Sequence, residues 1–157
     1  MKPTDDLQES ERAFEYALKL LGIRKRSVRQ LYHKLSDKGF NQQSVSEVLD
    51  RLQQSKLLDD EEFARGYVSE KATSHPSGKL KMLRELRRKG VSQEIAGKAI
   101  SELDENYEFN MAFKLGQGKA DFLRNMDLPK KRKKVYDYLM RKGFHSGVCR
   151  EVAHAIK

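Results

Sequence analysis

A Lys-Gly dipeptide recurs three times along this chain, at spacings of 51 and 53 residues. The three copies are Lys38-Gly39, Lys89-Gly90 and Lys142-Gly143. Apolar residues keep the same offsets from each glycine: Leu35, Leu86 and Leu139 lie four residues before it, and Leu31, Met82 and Val135 lie eight residues before it. A fixed period of about fifty residues is typical of tandem structural units, so the chain is predicted to contain three copies of one unit.

The residues before each Lys-Gly turn have the pattern of an amphipathic helix. In the first copy, the apolar face consists of Val28, Leu31, Tyr32 and Leu35. Ser27 and Gln30 are expected to form a capping box at its start, in which the hydroxyl and the amide each satisfy a free backbone N–H group. Gly39 is expected to end the helix, because a helix C-terminus favours a left-handed residue.

One helix is predicted after each glycine, and another before each of these middle helices. Asn41 and Ser92 are expected to cap two of the helices that follow the turns. The helices that come first in each unit are expected over residues 10–22, from residue 59 onward and over about residues 105–123. Residues 59–62 are all acidic, which suits the positive end of a helix dipole. Each unit therefore consists of three helices, and no stretch has the alternating pattern of a strand.

These patterns predict an all-α fold of three tandem three-helix repeats that form an elongated, curved, right-handed-helix array. A single helix pair cannot bury its apolar face alone, so neighbouring repeats are expected to stack. The predicted segments are a flexible N-terminus at residues 1–9 and three-helix repeats at residues 10–58, 59–104 and 105–157.

The positive charge is concentrated in the middle helix of each repeat. The whole chain carries a net charge of +9. Residues 24–38 hold six basic residues and one acidic residue, residues 77–91 hold six and one, and residues 129–143 hold seven and one. These segments together carry +16, which leaves −7 for the rest of the chain. In stacked repeats the three helices would lie on one side, as a basic stripe that suits a polynucleotide or a protein filament.

The basic side chains of these helices are the candidate contacts to a partner protein or to DNA. Their predicted role is to meet phosphate groups or acidic protein surface, with an affinity that falls as salt rises. The candidates are Arg24, Lys25, Arg26, Arg29, Lys34, Lys79, Arg84, Arg87, Arg88, Lys130, Lys131, Arg132, Lys133 and Lys134.

The same stretches resemble the RecX family. The pattern Leu20-Leu21-x-x-Arg24-x-Arg26-Ser27-x-x-x-Leu31-x-x-Lys34-Leu35-x-x-Lys38-Gly39-Phe40 is similar to the opening motif of that family. Residues 48–64, which contain Leu57-Leu58-Asp59-Asp60-x-x-Phe63-Ala64, resemble a second motif, and residues 78–91 resemble a third. The resemblance covers about residues 13–157, nearly the whole chain.

The resemblance implies a modulator of the RecA recombinase, usually an inhibitory one. Such a protein would lie as a monomer in the helical groove of the filament that RecA forms on single-stranded DNA, and it would touch more than one RecA protomer. It would thereby suppress the ATPase, strand-exchange and co-protease activities of RecA in DNA repair, recombination and the SOS response. The resemblance also implies two further partners, single-stranded DNA first and duplex DNA second.

A stand-alone DNA-binding protein is the alternative, because three-helix units with a short glycine turn are similar to helix-turn-helix proteins. A recognition helix should carry arginine, asparagine or glutamine side chains aimed at the bases. The third helices of the units lack a clear set and are less basic than the middle ones. Strong, sequence-selective binding of duplex DNA would favour this alternative.

No set of residues predicts catalysis, a cofactor or a metal ion. His145, Cys149 and His154 are the candidates for a metal site, and His145 and Cys149 are four residues apart on a helix, but Cys149 aligns with the apolar Val45 and Ala96 of the other repeats and is expected to be a core residue. The acidic residues 59–62 are consecutive, so they point around a helix and do not converge. No glycine-rich phosphate loop is present. The chain is therefore predicted not to be an enzyme.

Three features predict a cytoplasmic protein. The first eleven residues are polar and acidic, unlike a secretory signal, and no apolar run approaches the ~18 residues that span a bilayer. The single cysteine, Cys149, excludes an internal disulfide and fits a reducing compartment.

Overall fold

A computed structural model describes residues 3–157, with side chains from residue 6 onward. Its helices are α1 (Pro3–Ile23), α2 (Val28–Lys38), α3 (Gln42–Gln54), α4 (Asp60–Thr73), α5 (Lys79–Arg88), α6 (Gln93–Ser101), α7 (Tyr107–Phe122), α8 (Leu128–Arg141) and α9 (Ser146–Ala155). Residues 3–157 contain no strand. None of these helices is both long and apolar enough to cross a lipid bilayer.

The nine helices of the described part form three units, each with its own hydrophobic core. Helices α1 to α3, α4 to α6 and α7 to α9 pack mainly against one another. The leucines four residues before each turn glycine, Leu35, Leu86 and Leu139, are all fully buried. Burial of one such side chain contributes about 1.5–3 kcal/mol. The predicted all-α fold of three tandem three-helix repeats is confirmed, whereas the curvature and hand of the array stay predictions.

The helix ends follow the predicted local chemistry. Ser27 and Gln30 form the capping box at the start of α2. Asn41 accepts a hydrogen bond from the backbone N–H of Ser44 at the start of α3, and Ser92 does the same for α6. The turn glycines 39, 90 and 143 all have positive φ values, of 99°, 91° and 83°. These caps confirm that the local signals set the boundaries of the middle and third helices.

Helix α1 begins at Pro3, seven residues before the predicted start at Ser10, and residues 1 and 2 lie outside the described part. Proline suits the first turn of a helix, where its missing N–H group is not needed. The early turns also contact α3: the Glu9 carboxylate accepts a hydrogen bond from the N–H of Asn41 at 2.6 Å. Within the described part, the segment that was predicted to be flexible is helical from Pro3, and its Glu9 carboxylate contacts the start of α3.

Cys149 lies fully buried in the core of the third unit, as predicted for a core residue. Burial, with a smaller effect from the nearby Glu108 charge, raises the pKa of its thiol to about 11. Only the thiolate reacts readily with alkylating reagents. At pH 8 we expect Cys149 to react with N-ethylmaleimide at least ~100-fold more slowly in the folded protein than in guanidinium chloride. Mass spectrometry of timed samples measures both rates, and equal rates would contradict the buried thiol.

Candidate partner-binding surface

The middle helices of the three units meet end to end. The Ser27 hydroxyl at the start of α2 donates to the carbonyl oxygen of Lys89 at the end of α5. The N–H of Gly78, which precedes α5, donates to the carbonyl oxygen of Lys142 at the end of α8 at 2.8 Å. Helices α2, α5 and α8 therefore follow one another through two joints, and each joint brings the basic end of one helix beside the start of another.

A carboxylate from the next unit completes each joint. Asp60 in α4 accepts a hydrogen bond from the N–H of Val28, at 2.9 Å, and thereby caps α2. Glu108 in α7 accepts from the N–H of Lys79 at 2.6 Å and from the N–H of His145 at 3.2 Å. Free N–H groups at a helix start carry partial positive charge, so a carboxylate stabilises them. Both joints therefore contain a carboxylate from the next unit that caps a middle helix, although Glu108 accepts from two N–H groups and Asp60 from one.

The turn glycines also let the units approach closely. A Cβ atom on Gly90 would lie 2.4 Å from Cβ of Arg29, and one on Gly143 would lie 2.3 Å from Cβ of Lys81. A Cβ atom on Gly39 would meet nothing within 4 Å. Gly39 therefore takes no part in a close contact between the units of the described part. The repeated glycine therefore ends a helix in all three units and permits a joint in two of them.

Most of the predicted contact residues are on the surface, but their exposure differs. Half-buried members are Lys79, Lys131 and Arg132. Exposed members are Arg24, Lys25, Arg29, Lys34, Arg84, Arg87, Arg88, Lys130, Lys133 and Lys134. Within the described residues, ion pairs involve only Lys25 and Lys130 of this set, with Glu62 at 2.7 Å and Asp127 at 3.4 Å. The remaining exposed cations are available to an anionic partner.

Two of the predicted residues do not belong to an exposed stripe. Arg26 is only 7% exposed. It lies within the joint, in the segment before α2, and not on the surface of the helix. Arg132 donates two hydrogen bonds to the carbonyl oxygen of Ile156, at 3.1 and 2.9 Å. Its guanidinium therefore holds the end of α9 on α8. A count of charge along the sequence does not separate these two arginines from their exposed neighbours.

A groove lined by basic and aromatic side chains runs along the surface at the first joint. Two adjoining cavities of about 450 and 440 Å³ share Tyr67, Glu70 and Lys89. The first is also lined by Arg24 and Lys25, and the second by Lys71, Glu85 and Arg88, so basic side chains outnumber acidic ones. Lys89 lies over the Tyr67 ring, with its Nζ atom 5.8 Å from the ring centroid. The groove thus joins cations of two units, and sequence reasoning missed Lys89 and Tyr67 as site residues because the joint links distant segments.

Models of one family match successive parts of the chain. The model of the RecX first three-helix domain matches residues 13–52, that of the second matches residues 59–100, and that of the third matches residues 105–153. The regulatory protein RecX of Chlorobium phaeobacteroides (strain BS1) is 36% identical over 157 residues, which cover 99% of this chain and 98% of that protein. The regulatory protein RecX of Amycolatopsis mediterranei (strain U-32) is 32% identical over 150 residues, covering 94% and 86%. The chain belongs to the RecX family.

Two solved RecX structures have the same fold. The crystal structure of RecX from Lactobacillus salivarius matches with a TM-score of 0.89 at 19% identity, over 96% of this chain and 97% of that chain. A second crystal structure, of a regulatory protein RecX, matches with a TM-score of 0.87 at 23% identity, over 96% and 74%. The relatives that match this chain are named regulatory proteins, which agrees with the prediction that the chain is not an enzyme.

The carboxylates at the two joints of this RecX-family chain are expected to respond differently when each is replaced by the corresponding amide. Glu108 uses both oxygens, so Glu108→Gln would place an NH₂ group against a buried backbone N–H and lower the free energy of unfolding by about 1–3 kcal/mol. Asp60 uses one oxygen, and burial raises the pKa of its carboxyl, so Asp60→Asn keeps the acceptor and removes a charge that burial disfavours. We expect a loss below about 1 kcal/mol for Asp60→Asn. Urea unfolding of both variants measures the difference, and a larger loss in Asp60→Asn would contradict it.

Proposed function

We propose that this chain binds the filament of RecA on single-stranded DNA and inhibits its ATPase, strand-exchange and co-protease activities. The observation that carries the proposal is the end-to-end arrangement of α2, α5 and α8 in a RecX-family chain. Exposed basic side chains recur along these helices at intervals set by the repeat. A filament also presents the same surface repeatedly, so a chain with three similar basic segments suits contact with more than one protomer.

Steric occupation is the mechanism that this geometry favours. A slender chain that lies in the filament groove would cross from one RecA protomer to the next and oppose the relative motion of the two. The charges of the groove at the first joint, from Arg24, Arg88 and Lys89, would meet acidic protein surface or exposed phosphates. In this proposal the protein acts as a monomer in the cytoplasm and takes part in DNA repair and recombination.

The direct test adds the purified protein to RecA assembled on single-stranded DNA and follows ATP turnover and strand exchange. Both rates are expected to fall as the ratio of the protein to RecA rises. The effect is expected to weaken with added salt, because exposed charges are screened. If neither rate changes at any ratio at low salt, the proposed function is wrong.

A gel-shift series without RecA separates this function from the stand-alone DNA-binding alternative. The third helices offer few cations to a major groove; the Arg51 guanidinium of α3, for example, pairs with Glu11 at 2.8 Å. We therefore expect weak binding of single-stranded and duplex DNA without sequence preference. Tight and sequence-selective binding of one duplex would support the alternative instead.

A further inference from the structure

A third cavity, of about 380 Å³, lies at the first joint beside the end of α1. Its walls come from α1, from the segment before α2, from the turn before α4 and from the first turn of α4. Leu18, Leu21 and Leu57 give it an apolar side, whereas Arg26 and Lys56 give it a basic side. The cavity is thus an amphipathic recess between the first and second units.

Arg26 is the unusual residue of this cavity. Its side chain is 7% exposed, and its buried Nε atom has no hydrogen-bond partner among the described residues. The described carboxylates form no ion pair with it. An N–H group that is buried without an acceptor is unfavourable, and burial, with a smaller effect from the nearby Arg24 charge, lowers the pKa of Arg26. A carboxylate that entered the cavity would supply the missing acceptor.

The mouth of the cavity displays apolar surface. Leu57 is 55% exposed and Leu18 is 40% exposed. Lys56, immediately before Leu57, has φ of 58°, which is the left-handed region that a non-glycine residue adopts at a cost of about 1 kcal/mol. The N–H groups of Leu57 and Leu58 both donate to the carbonyl oxygen of Leu52, which holds the turn in this conformation. The turn that ends α3 therefore places the exposed Leu57 side chain in the same cavity as the buried Arg26.

We propose that this cavity binds a carboxylate side chain flanked by aliphatic residues, presented by an acidic–aliphatic segment of a protein partner. The carboxylate would accept a hydrogen bond from Arg26, and the flanking aliphatic groups would cover Leu18 and Leu57. The proposal rests on the proposed function only for the identity of the partner, which would then be RecA. The chemistry of the cavity itself does not depend on that identity.

The charges around the cavity favour a protein segment over nucleic acid. Two acidic residues, Asp59 and Glu62, line it together with three basic ones, and Glu62 already pairs with Lys25. A polynucleotide carries a charge on every phosphate, so its neighbouring phosphates would meet these carboxylates. It would also leave the exposed leucines uncovered. A single carboxylate between aliphatic side chains matches both the charge and the apolar wall.

The test uses the full chain labelled with ¹⁵N-arginine and the peptide acetyl-Ala-Leu-Glu-Leu-Ala-amide as the probe. We expect saturable shifts of the Nε–Hε signal of Arg26, with an affinity at least about tenfold above that of the matched peptide with glutamine in place of glutamate. Arg26→Gln and Leu57→Ser should each weaken peptide binding, measured by fluorescence anisotropy of a labelled peptide. Arg150→Gln, an exposed arginine of α9, is the matched control and should bind as the parent does.

Three results would overturn the proposal. One is no shift of the Arg26 signal at peptide concentrations up to about 10 mM. Another is equal binding of the glutamine peptide. The last is an equal response of Arg26 to inorganic phosphate or to oligodeoxythymidylate, which would identify a phosphate site. Leu57→Ser changes an exposed side chain, so it keeps the test valid if Arg26→Gln does not fold. RecA is absent from these mixtures, so their outcome is separate from that of the ATPase assay.

Discussion

Replacement of Gly78 by alanine is expected to lower the free energy of unfolding by about 3 kcal/mol or more. The added Cβ atom would lie 2.1 Å from the carbonyl oxygen of Gly143 and 2.2 Å from the backbone nitrogen of Phe144. These are backbone atoms, which cannot rotate away as a flexible side chain would. Gly78 has φ of −70° and ψ of 158°, which alanine adopts without strain, so the loss would come from the contact alone.

Two other glycines provide the matched controls for this substitution. Gly39 has φ of 99° but open space around it, so Gly39→Ala should cost only about 1–2 kcal/mol of left-handed strain. Gly118 lies inside α7 with nothing within 4 Å, so Gly118→Ala should raise stability by about 0.5–1 kcal/mol. Gly78→Ala is therefore expected to be the least stable of the three variants.

Urea unfolding followed by far-UV circular dichroism measures these differences. Each unit has its own core, so loss of the second joint is also expected to broaden the transition of Gly78→Ala or divide it in two. A single sharp transition with a midpoint at or above that of Gly39→Ala would mean that the second joint does not couple the units.

The sequence predicts the helices well because their signals are local. Each helix-end signal depends on neighbours within four residues. These signals are the capping box of Ser27 and Gln30, the caps at Asn41 and Ser92, and the end of α2 at Gly39. The early start of α1 was missed, since its support comes from the contact between Glu9 and Asn41, 32 residues away. Boundaries set by packing between helices are not visible in a local pattern.

The joints could not be predicted for the same reason. The Lys-Gly repeat indicated a helix end in every unit, but the close approach of Gly90 to Arg29 depends on how the units stack. The charge count placed Arg26 with Arg24 and Lys25, although Arg26 is buried in the joint. The repeat therefore predicted which helices are basic, and it did not predict which cations face solvent. The assignment of the exposed ones to a partner stays a prediction.

Neutralisation of two exposed arginines or lysines on one middle helix, or in the segment just before it, is expected to weaken the proposed inhibition of RecA about tenfold. Three matched pairs test the helices one at a time: Arg24→Gln with Arg29→Gln, Arg87→Gln with Arg88→Gln, and Lys133→Gln with Lys134→Gln. All six residues are exposed and free of ion pairs within the described part of the chain. Their loss should leave folding intact, because exposed charges contribute little to stability.

The three pairs should have similar effects, because the middle helices follow one another through equivalent joints. The measurement is the protein concentration that halves RecA ATP turnover, taken at several salt concentrations, with circular dichroism to verify folding. Each pair should also reduce the slope of log affinity against log salt, by up to about two if both cations contact phosphates. Lys114→Gln with Arg150→Gln removes the same charge from α7 and α9 and serves as the control. If this control weakens inhibition as much as the three pairs do, net charge determines binding, and the line of basic helices does not. If one pair accounts for the whole loss, the contact is confined to a single unit.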